Sequence, residues 1–189
     1  MMIISLCGFM GAGKSTIGKN LARDMGYKFI DLDSYLENKS GITVTEIFEK
    51  RGESGFREQE YLALEQIITE NENHLNTNEE SAFFNKNGLV IALGGGTVTN
   101  SGCAALIKEK TLCIYLNCPK ELLMKRLLKN NSKRPLVAGK SQTELDALIT
   151  NLMIDRESAY KDCSRYICNI DTQTTPVTVI RTITEFLAG

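Results

Sequence analysis

The sequence predicts an α/β fold: a five-stranded parallel sheet with helices on both faces. Three observations carry that prediction. Short apolar, β-rich runs alternate with longer segments of helical period, the connections between most of them are short, and a glycine-rich turn leads from the first strand into the first helix. Consecutive parallel strands need crossover connections, and helical crossovers cover the sheet on both sides. With 189 residues, 42% of them hydrophobic, the chain has the size and core-forming material of one globular domain. Residues 1–189 are therefore read as one domain without internal repeats.

Met2–Cys7, Tyr27–Leu32, Leu89–Leu93, Leu112–Leu116 and Tyr166–Ile170 read as the strands, from their β-branched and apolar content. Lys14–Met25, Glu53–Asn71, Pro119–Lys129 and Gln142–Tyr160 read as helices between them. Pro119 suits a first helical turn, where a missing N–H costs nothing. Val177–Leu187 completes the set, with Ile180, Ile183 and Leu187 on one face. Two stretches break the rhythm. Glu72–Asn87, rich in Asn and Glu, reads as a surface insertion. Lys129–Ser141 carries Lys129, Lys133, Arg134 and Lys140 around one Pro and one Gly. Composition alone fits either a solvated basic loop or a mobile lid over phosphates.

The bulk charge excludes several functions. A net charge of −1 disfavours nucleic acid and membrane surfaces as partners, since both call for an excess of Lys and Arg. No apolar run has transmembrane length. The start MMIISLCGFMGAGKS lacks the basic segment of a secretory leader, and its apolar part runs straight into the glycine-rich loop, so no leader is expected. The six cysteines include no CxxC pair, and the one histidine, His74, lies in a polar stretch, so zinc-site spacing is absent. Buried reduced thiols are expected, and with them a cytoplasmic setting.

Gly8-Phe9-Met10-Gly11-Ala12-Gly13-Lys14-Ser15 matches G-x-x-x-x-G-K-[ST] between a strand and a helix, the context that this phosphate-binding loop requires. Its glycines let the backbone curl so that successive N–H groups point inward at phosphate oxygens, and the following helix adds its positive end. Gly11, Ala12, Gly13, Lys14, Ser15 and Thr16 form the expected ATP-binding set. Lys14 would reach the β- and γ-phosphates, and the Ser15 hydroxyl would bind Mg²⁺. The loop points to a nucleotide but not to what receives the phosphoryl group.

Evidence on the acceptor lies further along. The second strand ends in Asp31-Leu32-Asp33, two carboxylates overlooking the crevice where open α/β sheets bind ligands, although such a pair also serves as a turn or helix cap. Arg57 stands near a helix start, against the preference of helix N-termini for acids, which calls for an anionic partner. Either a ligand or a salt bridge to Glu53 or Glu60 would supply it. Gly94-Gly95-Gly96 follow a buried strand directly, a costly run unless the backbone must approach something closely.

The phosphate loop, the Asp-x-Asp, Gly52-Glu53-Ser54-Gly55-Phe56-Arg57-Glu58-Gln59-Glu60, the Gly-Gly-Gly turn and Arg134-Pro135-Leu136 occur in the order seen in shikimate kinases. Over roughly residues 2 to 170 the chain resembles that family. The resemblance implies a three-layer P-loop kinase fold of the nucleoside-monophosphate-kinase type. An acceptor-binding region would span about 32–60, and the 129–141 segment would be a mobile lid. It further implies MgATP-dependent phosphorylation of the 3-hydroxyl of shikimate, on the route to chorismate and the aromatic amino acids.

Position by position, Lys14, Asp33 and Arg134 become the catalytic set. Asp33 would orient or deprotonate the attacking hydroxyl, and Asp31 would hold Mg²⁺ through water. Arg57 and Arg156 would grip the substrate carboxylate as two planar forks, although Arg156 within Asp155-Arg156-Glu157 reads in isolation as a surface charge. Gly94, Gly95 and Gly96 would contact the ring hydroxyls, with Phe56 and Glu60 supporting the pocket. Arg134 would close over the transferring phosphate, and Arg126 resembles the arginine that packs on adenine. Two departures stand out: the chain is longer than the family pattern between Glu60 and Gly94, and longer by a residue between Arg126 and Arg134. The competing readings are another small-molecule kinase, acting on gluconate or a nucleoside monophosphate, and a non-catalytic ATP-binding module. A monomer is expected.

Overall fold

The computed structural model describes residues 2–73, 88–129 and 140–189. Five strands lie among these residues: β1 (Met2–Cys7), β2 (Lys28–Asp31), β3 (Gly88–Ala92), β4 (Leu112–Asn117) and β5 (Tyr166–Asn169). They form one parallel sheet in the order β2-β3-β1-β4-β5. The central strands are continuous apolar runs because both faces are covered: β3 is buried throughout, as is β1 from Ile3 onward. The edge strands β2 and β5 are only partly covered.

Among the described residues, seven α-helices connect or flank the strands: α1 (Lys14–Met25), α2 (Leu32–Ser40), α3 (Val44–Asn73), α4 (Ser101–Lys110), α5 (Lys120–Lys129), α6 (Gln142–Cys163) and α7 (Pro176–Ala188). The chain leaves β1 toward β2 and leaves β3 toward β4, in opposite directions across the sheet. Right-handed crossovers running opposite ways lie on opposite faces, which makes the three layers. Among the described residues no helix is long and apolar enough to cross a membrane. All six cysteines are buried and unbridged.

Differences from the sequence reading concentrate on the acceptor side. Helix α2 begins inside the Asp-x-Asp motif, capped by Asp31, whose side chain accepts from the Ser34 N–H. Helix α3 starts at Val44 rather than Glu53 and breaks at Gly52, where φ is 67°. Its start is a Thr-x-x-Glu capping box: Thr43 Oγ1 accepts from the Glu46 N–H, and Glu46 Oε2 accepts from the Thr43 N–H. Helix α4 was not anticipated; Asn100 caps it through the Cys103 N–H. The insertion expected at 72–87 lies outside the described residues beyond Asn73, as do residues 130–139 of the segment expected as a lid at 129–141.

The register sets up the site. Ala92 of β3 is level with Leu6 of β1 and Asp31 of β2. The segments that follow these strands therefore emerge side by side: the phosphate loop from β1, Leu32-Asp33 from β2 and Gly94-Gly95-Gly96 from β3.

Candidate active site

The loop after β1 is built by its glycines. Gly8 has φ 137°, and a Cβ there would stand 2.8 Å from the Leu116 carbonyl oxygen of β4, so both backbone angle and space require glycine. Helix α1 starts from Gly13, which has no side chain to cap the first N–H groups. Those donors are thus left for an anion in the cleft. Lys14 curls back over the loop, its Nζ 2.8 Å from the Gly8 carbonyl and 3.2 Å from that of Phe9.

The end of β2 meets this loop. Ser15 Oγ donates to Asp31 Oδ2 at 2.5 Å, while Asp31 Oδ1 caps α2. One Asp31 oxygen thus caps α2, as the helix-cap reading has it, while the other meets the Ser15 hydroxyl in the cleft. Asp33, in the first turn of α2, faces inward. Burial pushes its carboxyl up to about 6; Lys14 pulls the other way, and Asp31, Glu60 and Glu37 add to the rise. At neutral pH it is ionised yet basic enough to take a proton.

Arg57 and Glu60 face the same cleft from α3. Arg57 donates through Nη1 to Glu60 Oε2 at 2.7 Å and through Nη2 to Glu53 Oε1 at 3.4 Å. Glu60 is wholly buried, and its second oxygen accepts from the Thr97 hydroxyl at 2.6 Å. Burial works against the Arg57 charge, but Glu60 and Glu53 outweigh it and raise its pKa. Arg57 therefore pairs with the two glutamates and also lines the cleft.

The glycine turn explains itself by close approach. A Cβ on Gly96 would stand 2.5 Å from Arg57 Nη2, and one on Gly94 would meet Glu60 Oε1 and Thr97 Oγ1, each at 2.9 Å. Arg156 reaches this turn from α6, donating through Nη1 to the Gly95 carbonyl at 3.1 Å.

Lys14, Ser15, Asp31, Asp33, Arg57, the three glycines and Arg156 all line one cleft of about 740 Å³. Its lining joins the hydrogen-bond donors and lysine of the phosphate loop to the guanidinium groups of Arg57 and Arg156 and the carboxylate of Asp33, polar groups enough for two ligands. Arg126 stands elsewhere. It donates to the Gly11 and Ala12 carbonyls at 3.1 Å each, and with Gly13, Thr16 and the 174–176 turn it lines a second cavity of about 250 Å³ behind the loop. Arg134 lies outside the described residues. The sequence reading missed Glu37, Thr97 and Tyr160. Thr97 directly follows the glycines, and Tyr160 lies one helical turn beyond Arg156; those spacings were the available signals.

A metal at the Ser15–Asp31 contact would meet two hard oxygens, with no group of three His, Cys, Asp or Glu side chains poised for a metal among the described residues. That donor set fits Mg²⁺, which takes one or two protein oxygens and completes its shell with water and phosphate.

The family model described as shikimate kinase matches residues 10–77 and 78–188. A shikimate kinase from Chlorobium limicola is 37% identical over 84% of this chain and 73% of its own length. The crystal structure of shikimate kinase from Bacteroides thetaiotaomicron superposes with a TM-score of 0.85 at 30% identity, covering 100% of this chain and 99% of its own. Shikimate kinase from Acinetobacter baumannii, solved in complex with shikimate, gives 0.80 at 29% identity, covering 100% and 93%. With the sheet order, the phosphate loop and the acceptor cleft already in view, these matches establish that the chain belongs to the shikimate kinase family.

Proposed function

We propose that the chain transfers the γ-phosphoryl group of ATP to the 3-hydroxyl of shikimate, giving shikimate 3-phosphate and ADP. The observation that carries this reading is the shared cleft, in which the phosphate loop faces Asp33, Arg57 and Arg156. A compact acidic polyol suits that far end. Two guanidinium groups match a carboxylate, and Asp33 accepts from a hydroxyl. The same Asp33 disfavours a nucleotide acceptor, whose phosphate it would repel. The Acinetobacter baumannii relative supports the choice, since it binds shikimate.

Phosphoryl transfer asks a protein chiefly to align two reactants and to offset spread negative charge. The donors of Gly11 to Thr16 hold the ATP phosphates, and Lys14 moves from the Gly8 and Phe9 carbonyls to the β- and γ-phosphate oxygens. Arg57 and Arg156 take the shikimate carboxylate, which fixes the ring. Asp33 aligns the 3-hydroxyl and accepts its proton as the bond to phosphorus forms. Ser15 and, through water, Asp31 would hold Mg²⁺, which would supply charge neutralisation at the phosphates. Arg126 supports the base from the second cavity, and Arg134 is assigned to the transferring phosphate on family resemblance.

An ADP-release assay with MgATP and a panel of acceptors tests the reading. Turnover with shikimate at least about a hundredfold above that with gluconate, which also carries a carboxylate and hydroxyls, is expected for a site built on specific polar contacts. Comparable rates with both would remove shikimate as the assigned substrate.

A further inference from the structure

Tyr160 is 1% exposed, and none of the roles assigned above uses it. Its ring stacks on Tyr115 with centroids 5.1 Å apart, and its hydroxyl donates to the Gly95 carbonyl. Arg156 donates to that same oxygen through Nη1. The two donors lie four residues apart on α6, a spacing that stacks them on one helix face. A peptide carbonyl has two lone pairs and accommodates both. Gly95 has no side chain and a glycine on either side, so local sterics do little to fix its peptide plane. Burial pushes the Tyr160 phenol upward, with Arg156 acting in the opposite sense, so the hydroxyl stays a donor through the neutral range.

We infer that Tyr160 is a positioning residue for the acceptor: its hydroxyl fixes the Gly95 carbonyl, which holds the Arg156 guanidinium by one nitrogen and presents its other N–H groups to the acceptor carboxylate. The inference rests on the reading of Arg156 as a carboxylate ligand. A carbonyl held by one donor can rotate about it, whereas two donors define its plane. An arginine anchored to a fixed point loses less freedom when it binds, which strengthens binding without new contacts to the ligand. Tyr160 thus acts through Arg156 and touches neither reactant.

A double-mutant cycle on the full chain tests this, with KM for shikimate, KM for ATP, kcat and melting temperature measured for each protein. Tyr160→Phe keeps the ring against Tyr115 and removes only the hydroxyl. It is expected to raise KM for shikimate about five- to tenfold, the scale of one hydrogen bond, with KM for ATP and kcat within about twofold. In an Arg156→Ala background the same change should leave KM for shikimate within about twofold. If Tyr160→Phe has no effect on wild-type KM, or shows its full effect without Arg156, the positioning role is overturned while the carboxylate reading stands. An Arg156→Ala protein with unchanged KM for shikimate overturns the carboxylate reading, and this inference with it. A Tyr160→Phe protein that is unfolded, or that loses both ligands alike, assigns the hydroxyl to stability and overturns the inference.

Discussion

Ser15 and Asp31, sixteen residues apart, touch across 2.5 Å and join the phosphate loop to the end of β2. The contact puts a hydroxyl and a carboxylate in the cleft while the second Asp31 oxygen holds α2 in place. Asparagine caps helices as well as aspartate does, so Asp31→Asn separates the two jobs. The variant is expected to keep its melting temperature within about a degree, since the cap contributes about 1 kcal/mol and is retained. The Mg²⁺ concentration for half-maximal rate should rise about tenfold, matching the weakening seen when partners of a metal site are removed. A Mg²⁺ titration of initial rates checks this; an unchanged midpoint removes Asp31 from the metal site.

Asp33 sets a pH dependence with a definite sign. Its folded pKa of about 6 lies above the ordinary 3.8 because burial disfavours the charge. The folded state therefore binds the proton more tightly than the unfolded chain does, and stability falls as pH rises from 3.8 to about 6. Above that pH the full cost of burying the charge is present. Asp33→Asn, measured by urea unfolding without nucleotide, should be more stable than wild type at pH 7.5 by up to about 3 kcal/mol. The gap should shrink as pH drops through 6, and kcat should fall at least about a hundredfold. A variant that is both active and no more stable at pH 7.5 contradicts the assignment.

The Arg57–Glu60 pair predicts an asymmetry in stability. Glu60 is fully buried, so Arg57→Ala leaves its carboxylate in the interior with the Thr97 hydroxyl as its remaining hydrogen-bond partner among the described residues. Such a loss costs about 3 kcal/mol or more, far beyond a surface pair. Adding Glu60→Gln removes the charge and should recover at least half of the loss, without recovering shikimate binding. Thermal unfolding of the two proteins gives the comparison. Equal stabilities would mean that Glu60 does not depend on Arg57.

Gly96 is a steric gauge of the acceptor end. An added methyl would lie 2.5 Å from Arg57 Nη2 and must displace that guanidinium. Gly96→Ala should raise KM for shikimate at least about tenfold and leave KM for ATP within twofold, because small displacements of positioning groups are costly. Steady-state kinetics with each substrate varied in turn decides. Parallel losses for both substrates would place the damage in the sheet rather than at Arg57.

Much of this was legible in the sequence because its signals are local. The phosphate loop has a fixed spacing, and β1 and α1 begin and end where patterning puts them, at Met2–Cys7 and Lys14–Met25. Helix α6 starts at Gln142 behind a Ser141–Glu144 capping box of the kind a sequence displays openly. The Thr43–Glu46 box before α3 is the same signal, but the Gly52 break interrupts the helical period behind it and masks the helix start. Helices α2 and α4 bury only Leu32 and Leu36, and Cys103 and Ile107, too few for periodicity to stand out, whereas the equally short α5 buries Leu122, Leu123 and Leu127 on a legible apolar face. The contacts that make the site were not legible. Ser15 on Asp31, Thr97 on Glu60 and Arg156 on Gly95 depend on strand order, and strand order is a property of the sheet that no local window contains.

The most direct test follows the phosphorus. Phosphorus NMR of the purified protein with ATP, Mg²⁺ and shikimate should show the γ-phosphate signal converting to a phosphomonoester coupled to the proton on C3 of the ring. Conversion to inorganic phosphate alone, or no conversion while ATP is bound, contradicts the claim that the paired arginines hold shikimate in line with the phosphate loop.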